Sequence, residues 1–189
     1  MPDTTKEAPT IRLFLAPINE PVNGGWYPVS GLSAKEDIRS AMHEVREWTG
    51  KEELRISDAE GLPSSMIPRY GGVPVEKIHA FCLLAQEHGL PAARAYVEVL
   101  NGTGAEVPPE EWIRSFERAH AGVQDSRTAW AEERVFSGAF PSLARVAEKH
   151  GIGYINIDRV RSDIEHDAHT EFVEADDGTH LFIRPDLTL

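Results

Sequence analysis

Cysteine is nearly absent from this chain, and so are long apolar runs. Cys82 is the single cysteine among 189 residues, so no disulfide bond can form within the chain, as is typical of a reducing compartment. No apolar stretch reaches the roughly 18 residues of a membrane-spanning helix, and the start, MPDTTKEAPT, lacks the apolar core of a secretion signal. These absences predict a soluble, cytoplasmic protein.

Basic residues are scarce relative to acids. The chain has 19 Lys and Arg against 31 Asp and Glu, which gives a formal net charge of −12 and a pI near 5.1. Neutralising phosphate groups takes clustered Lys and Arg, so the composition argues against direct binding of nucleic acid. An anionic membrane surface would also repel the chain. The charge favours a basic partner instead.

The usual signatures of catalysis are missing as well. The sequence contains no nucleophile elbow, no phosphate-binding loop and no CxxC pair. Gly151-Ile152-Gly153 is too short for a dinucleotide loop. Cys82 shares an apolar helical stripe with Ile78 and Ala85, which is typical of a thiol in the core. Conventional signals of catalysis are therefore poor, and these motifs predict no catalytic residue.

One enzymatic alternative stays open in the closing segment. His166 and His169 have the i, i+3 spacing at which one helix face can present two metal ligands. Glu165, Asp167 and the distant His180 could add to such a site. A small hydrolase or another metal-dependent enzyme would use them in this way. Solvated or ion-paired histidines are the commoner outcome, because the usual metal-binding motif is not present nearby.

The closing segment combines an apolar framework with many acids. Ile157, Val160, Ile164 and Ala168 recur at helical spacing, so they predict a helix with one apolar face. Apolar residues then flank Asp177-Gly178, a dipeptide that favours a tight hairpin turn. A folded scaffold is thus expected to hold carboxylates outward at fixed spacings.

The Pro- and Gly-rich segments between the predicted elements predict an α+β fold built as a series of three small modules. Residues 1–10 are expected to be a disordered leader. Residues 11–61 read as a small antiparallel sheet with one helix, and residues 62–103 as a helical middle. Residues 104–189 read as further helices followed by a C-terminal β-hairpin, and they form the acidic module.

Several segments, in order, resemble the ArdA-type antirestriction proteins found on mobile elements. EELRISDAEGLP, from Glu52 to Pro63, is similar to a signature near the start of that family. FERAHAGVQDSRTAWAEE, from Phe116 to Glu133, is similar to a later one. YINIDRVRSDIEHD, from Tyr154 to Asp167, with the strand GTHLF after it, resembles the closing helix and terminal strand. The resemblance covers about residues 11–184.

The resemblance implies a binding protein that is not an enzyme and uses no cofactor. Members of this family are elongated, curved dimers of three-module chains, and their surface acids imitate the phosphates of bent B-form DNA. They occupy the DNA-binding groove of type I restriction–modification enzymes, so the expected partner is such an enzyme and the expected assembly is a homodimer. By position, the expected mimic residues are Asp58, Glu60, Asp125, Glu132, Glu133, Asp158, Asp163, Glu165, Asp167, Glu171, Glu174 and Asp176.

Two other interpretations of the acids remain. Surface carboxylates commonly serve solubility alone. An acidic adaptor that binds another basic DNA-binding protein, or a regulator, would show the same composition. The adaptor differs from an antirestriction protein in its target, so the partner captured from hosts with and without restriction genes separates the two.

Overall fold

The computed structural model describes residues 11–167 and 170–183. Within these ranges the chain is mixed α+β, with seven α-helices and two three-stranded antiparallel sheets, which confirms the predicted fold class. The chain divides into two compact units, Met1–Arg114 and Ser115–Leu189. Residues 11–61 and the helical middle therefore belong to one unit, and the division into three modules stays a prediction. The expected disordered leader lies outside the described residues.

The sheet of the first unit has the strand order β2-β1-β3. Its strands are β1 (Ile11–Pro17), β2 (Gly25–Val29) and β3 (Leu54–Glu60). Ile11, Leu13 and Leu15 alternate along β1 and are fully buried, as the period of two in a strand requires. One face of this sheet therefore belongs to the core, and the side chains between these leucines point to the other face.

Helix α1 (Ala34–Thr49) packs on the buried face through Ile38 and Val45. Ser33 and Glu36 have the sequence spacing of a capping box, but this box does not form. The Ser33 hydroxyl instead donates to Asp37 Oδ2 at 3.0 Å, and the Ser30 N–H donates to the same oxygen at 3.3 Å. A 3₁₀ turn, Gly31–Ser33, runs directly into α1, so Ser33 already has helical backbone angles and its hydroxyl bonds to Asp37.

The helical middle consists of α2 (Val75–His88) and α3 (Leu90–Thr103). Helix α2 contacts both α1 and α3. It buries Phe81 and Cys82 on the predicted apolar stripe, which confirms the assignment of Cys82 to the core. Helix α4 (Trp112–Ala119) follows.

The second unit contains the other sheet, with the order β4-β6-β5. Its strands are β4 (His120–Gln124), β5 (Thr170–Ala175) and β6 (Gly178–Ile183). The predicted hairpin is confirmed as β5–β6, although Ala175 pairs with Gly178, so the turn consists of Asp176 and Asp177. Gly178 has φ +131°, and a Cβ there would lie 3.0 Å from the Gln124 carbonyl oxygen, so glycine allows β4 to approach.

Strand β4 was not predicted, because only helices were expected in this module ahead of the C-terminal β-hairpin. Helix α4 ends at Ala119, and the next five residues pair with β6. A five-residue strand with glycine at its centre has little apolar alternation of its own. Its partner, β6, therefore decides its conformation.

Three helices complete the second unit: α5 (Arg127–Arg134), α6 (Pro141–His150) and α7 (Ile157–Asp167). Trp130 of α5, Ile164 of α7 and Leu181 of β6 share a core, and Ile157 and Val160 pack against it. The predicted apolar face of α7 is therefore confirmed at these positions; Ala168 lies outside the described residues. Asp125-Ser126 is a capping pattern at the start of α5, and the Ser126 hydroxyl accepts the Ala129 N–H at 3.0 Å.

Candidate partner-binding surface

The predicted mimic acids lie on both compact units. Asp58 and Glu60 belong to β3 of the first unit. The others lie on α5, on α7 and on the β5–β6 hairpin of the second unit, or directly beside these elements. Their sequence positions alone did not show which of them carry an unopposed charge, and the side-chain contacts separate them into groups.

Asp58 and Glu60 differ in whether a cation opposes their charge. Glu60 accepts from Arg12 Nη1 at 3.0 Å, with both side chains about half exposed. Asp58 is exposed, and its Oδ1 accepts the backbone N–H of Ala59 at 2.8 Å. Asp58 makes no ion pair within the described part of the chain, so its charge is directed to solvent.

The acids beside and on α5 are also unopposed. Asp125 immediately precedes the capping residue Ser126, and Glu132 and Glu133 lie in the last turns of the helix. None of these three carboxylates forms an ion pair with a residue that the structure describes. The sequence signature that contains them, from Phe116 to Glu133, thus supplies three free negative charges.

The acids of α7 are paired within their own helix. Asp163 lies 3.1 Å from Arg159 Nε, Asp158 lies 3.4 Å from Arg161 Nη1, and Glu165 lies 3.8 Å from Arg161 Nε. The i, i+3 and i, i+4 spacings make these contacts, and exposed pairs of this type contribute little to stability. Asp167 belongs to α7, but its side chain is not among those described. Sequence reasoning counted the acids of α7 and missed the arginines between them.

Asp125 and Glu174 meet in a recess of about 390 Å³, which Arg127 and Arg161 also line. They are far apart in sequence, and the cap of α5 and the strand β5 bring them together. The Arg127 guanidinium is occupied elsewhere, because its Nη2 donates to the Phe172 carbonyl oxygen at 3.3 Å and its carbon lies 5.3 Å from the centre of the Phe172 ring. This grouping of acids was not visible from the sequence.

The hairpin turn contains a hydrogen-bonded relay that the sequence did not reveal. Asp177 Oδ1 lies 2.8 Å from His180 Nε2, and His180 Nδ1 lies 3.0 Å from His120 Nε2. A carboxylate only accepts, so His180 donates through Nε2, and in its neutral form it accepts from His120 through Nδ1. His180 is 1% exposed. Asp177 therefore holds a buried histidine in place.

The structure bears on two chemical roles: Cys82 as a nucleophile, and His166 with His169 as metal ligands. Burial raises the pKa of the Cys82 thiol to about 12, with a smaller contribution from Asp37, so the thiolate that nucleophilic attack requires is not formed at neutral pH. His166 Nδ1 donates to the Ser162 carbonyl oxygen at 2.6 Å. No group of three potential metal ligands among the described residues includes His166. His169 lies outside them, so the two-histidine site stays untested.

The described structure is thus an α+β fold that presents several acids without an opposing cation. Comparison with known families is more specific: the model of the antirestriction protein family ArdA matches residues 21–177. The chain therefore belongs to the ArdA antirestriction family, as the resemblance of its segments implied. No match was found among curated proteins or among solved structures.

No helix in the described ranges has both the length and the hydropathy that crossing a bilayer demands.

Proposed function

We propose that this protein inhibits type I restriction–modification enzymes by occupying their DNA-binding groove in place of B-form DNA. The observation that carries the proposal is the family match over residues 21–177. The acids that the described structure leaves unopposed support it, namely Asp58, Asp125, Glu132, Glu133 and Glu174. The protein acts by binding, without catalysis or a cofactor.

The mechanism has two electrostatic steps. The net charge of −12 attracts the basic groove and raises the rate of encounter. Carboxylates held by helices and strands then form charge-assisted hydrogen bonds with the Arg and Lys that normally bind phosphate. On α7 the partner's cations exchange with Arg159 and Arg161, since exposed ion pairs are weak.

A homodimer is the assembly that we propose for this activity. Two chains together carry twice −12, or −24. At two phosphate charges per base pair, this charge corresponds to about 12 base pairs of duplex. Pairing therefore brings the length of the acidic surface closer to that of a restriction site, and analytical ultracentrifugation measures whether the chains pair.

The activity is tested in a host with an active type I restriction system. We expect unmodified phage to form plaques at a much higher efficiency when this protein is expressed. A host without restriction genes, in which the protein should change nothing, is the control. Unchanged plating in the restricting host would contradict the proposal. Capture of a histone-like protein or a regulator, instead of the restriction enzyme, would favour the acidic adaptor.

The mechanism is tested with the purified methyltransferase core of a type I enzyme. Ionic contacts are screened by salt, so we expect the affinity to fall steeply between about 50 and 200 mM salt, as it does for DNA. The same core with a DNA duplex is the reference. Affinity that does not change over this range would exclude charge mimicry as the mechanism.

A further inference from the structure

The exposed face of the first sheet carries two aromatic rings beside the proposed mimic acid Asp58, and charge mimicry does not explain the rings. Trp26, Phe14 and Asp58 face one another across β2, β1 and β3, because Phe14 pairs with Trp26 on one side and with Asp58 on the other. We call these three residues the aromatic–acid row. Paired residues of antiparallel strands share a face, and this face is opposite the buried Leu13 and Leu15.

The row is built from half-buried rings and an exposed carboxylate. The rings of Phe14 and Trp26 meet edge to face, with their centres 5.4 Å apart. Both rings are partly exposed, and Asp58 is exposed and has no ion pair in the described part of the chain. Phosphate mimicry needs only carboxylates, so a pair of rings at this position indicates a second kind of contact.

The neighbouring pair of residues shows which ligand such a face holds. Arg12 and Glu60 pair across the same two strands, one step along the sheet. The Arg12 guanidinium lies 5.2 Å from the centre of the Trp26 ring and 3.0 Å from Glu60 Oε2. An arginine of this chain is thus already bound between a ring and a carboxylate. Phe14 and Asp58 offer the same two groups without an arginine from the described residues.

We propose that the aromatic–acid row binds an arginine side chain of the basic partner, between Phe14 and Asp58. This inference rests on the proposed function for the source of the arginine. A guanidinium fits better than an ammonium, because it is planar, stacks on rings and can give two parallel hydrogen bonds to a carboxylate. Phe14 and Trp26 thereby add affinity that salt screens less than the contacts of isolated acids.

The test compares three variants against the methyltransferase core over a range of salt. Phe14→Leu keeps an apolar side chain but removes the ring, and we expect an affinity about fivefold lower with an unchanged salt slope. Asp58→Asn removes the charge and should make the slope shallower by about one ion. Tyr70→Leu is the matched control, since Tyr70 is 92% exposed and belongs to none of the three strands that carry the row, and its affinity should equal that of the wild type.

Melting temperatures are measured first, so that a folding defect is recognised. A folded Phe14→Leu variant that binds like the wild type at every salt concentration would overturn the proposal. If Phe14→Leu does not fold, the test rests on Asp58→Asn. An affinity and a salt slope equal to those of the wild type would then also overturn the proposal.

A second arm does not depend on the restriction enzyme. An octa-arginine peptide and an octa-lysine peptide are titrated into the full chain, and the Trp26 indole N–H signal is followed by NMR, assigned with Trp26→Phe. We expect a larger shift with arginine than with lysine, and a smaller one in Phe14→Leu. Arginine binding without enzyme binding would contradict the proposed function alone. Enzyme binding with equal responses to the two peptides would contradict the aromatic–acid row alone.

Discussion

Cys82 shows how a single position acquires its chemistry from its surroundings. It lies in α2 with 1% of its surface exposed, and removal from water raises its pKa from 9.0 to about 12. The unfolded chain releases this proton near pH 9, whereas the folded chain keeps it. Unfolding is therefore favoured progressively as the pH rises above the pKa of the free thiol.

The replacement Cys82→Ala removes this alkaline sensitivity. Between pH 7 and pH 10 the thiol should lower the free energy of unfolding of the wild type by about 1.4 kcal/mol, because only the unfolded state ionises over this window. Urea unfolding of both proteins at the two pH values gives the difference. The variant starts from a lower stability, since it leaves a small cavity, but its additional loss at pH 10 should be smaller. Equal losses of stability in the two proteins would contradict a raised pKa of the Cys82 thiol.

Single acids also differ in what their neighbours allow. Glu60 and Asp58 are two residues apart on the same strand, yet Arg12 opposes the first charge only. A list of acidic positions therefore overstates the free negative charge of this surface. The described contacts, and not the residue types, identify Asp58, Asp125, Glu132, Glu133 and Glu174 as unopposed.

At the scale of elements, a chain of side-chain hydrogen bonds links the turn of the β5–β6 hairpin to β4. Asp177 in the turn accepts from His180, which is hydrogen-bonded to His120 at the start of β4. The His120 ring stacks on Phe116 at 4.6 Å, so the chain of hydrogen bonds ends against apolar side chains. Buried polar groups without partners are costly, and this relay is therefore expected to determine how firmly β6 is held between its neighbours.

A double-mutant cycle measures that contribution. Asp177→Ala leaves the buried His180 Nε2 without its acceptor, and we expect a loss of about 1–3 kcal/mol of stability. The same replacement in a His180→Leu background retains only the effect on the turn. The two losses should differ by about 1 kcal/mol or more, as measured by urea unfolding. Equal losses would show that Asp177 acts only as a turn residue. Asp177→Asn keeps an acceptor oxygen and should restore most of the coupling.

At the scale of the whole molecule, the effect of the net charge on binding can be separated from the effect of where the charges lie. The net charge of −12 produces the long-range attraction to a basic groove. Contacts within the groove require carboxylates that can exchange their partners for those of the enzyme. On α7 this exchange is opposed by the chain's own Arg159 and Arg161.

Two variants of equal net charge distinguish these effects. Arg159→Gln frees Asp163, which lies 3.1 Å from Arg159. Arg145→Gln removes the same charge from an exposed side chain whose Nε donates to the Pro141 carbonyl oxygen and which has no ion pair within the described part of the chain. We expect Arg159→Gln to raise the affinity for the methyltransferase core about threefold more than Arg145→Gln does, since it removes one exposed ion pair that binding must break. Equal effects would place α7 outside the binding surface.

Patterns within short stretches of sequence predicted most of the fold. The period of α7, the hairpin beside Gly178, the cap at Ser126 and the burial of Cys82 all depend on neighbours within a few residues or on apolar spacing. The ordered segments likewise pointed to the family that the comparison then showed. Such features are local, so they can be recognised from the sequence alone.

Tertiary structure decided what local patterns do not contain. Strand β4 exists because β6 supplies its hydrogen bonds, and the relay from Asp177 to His120 follows from the same pairing. The register of β1 with its neighbours places Phe14 between Trp26 and Asp58, and packing brings Asp125 to Glu174. Each of these depends on which distant segments pair. Register and packing are settled by the burial of the whole chain, so no single stretch of sequence determines them.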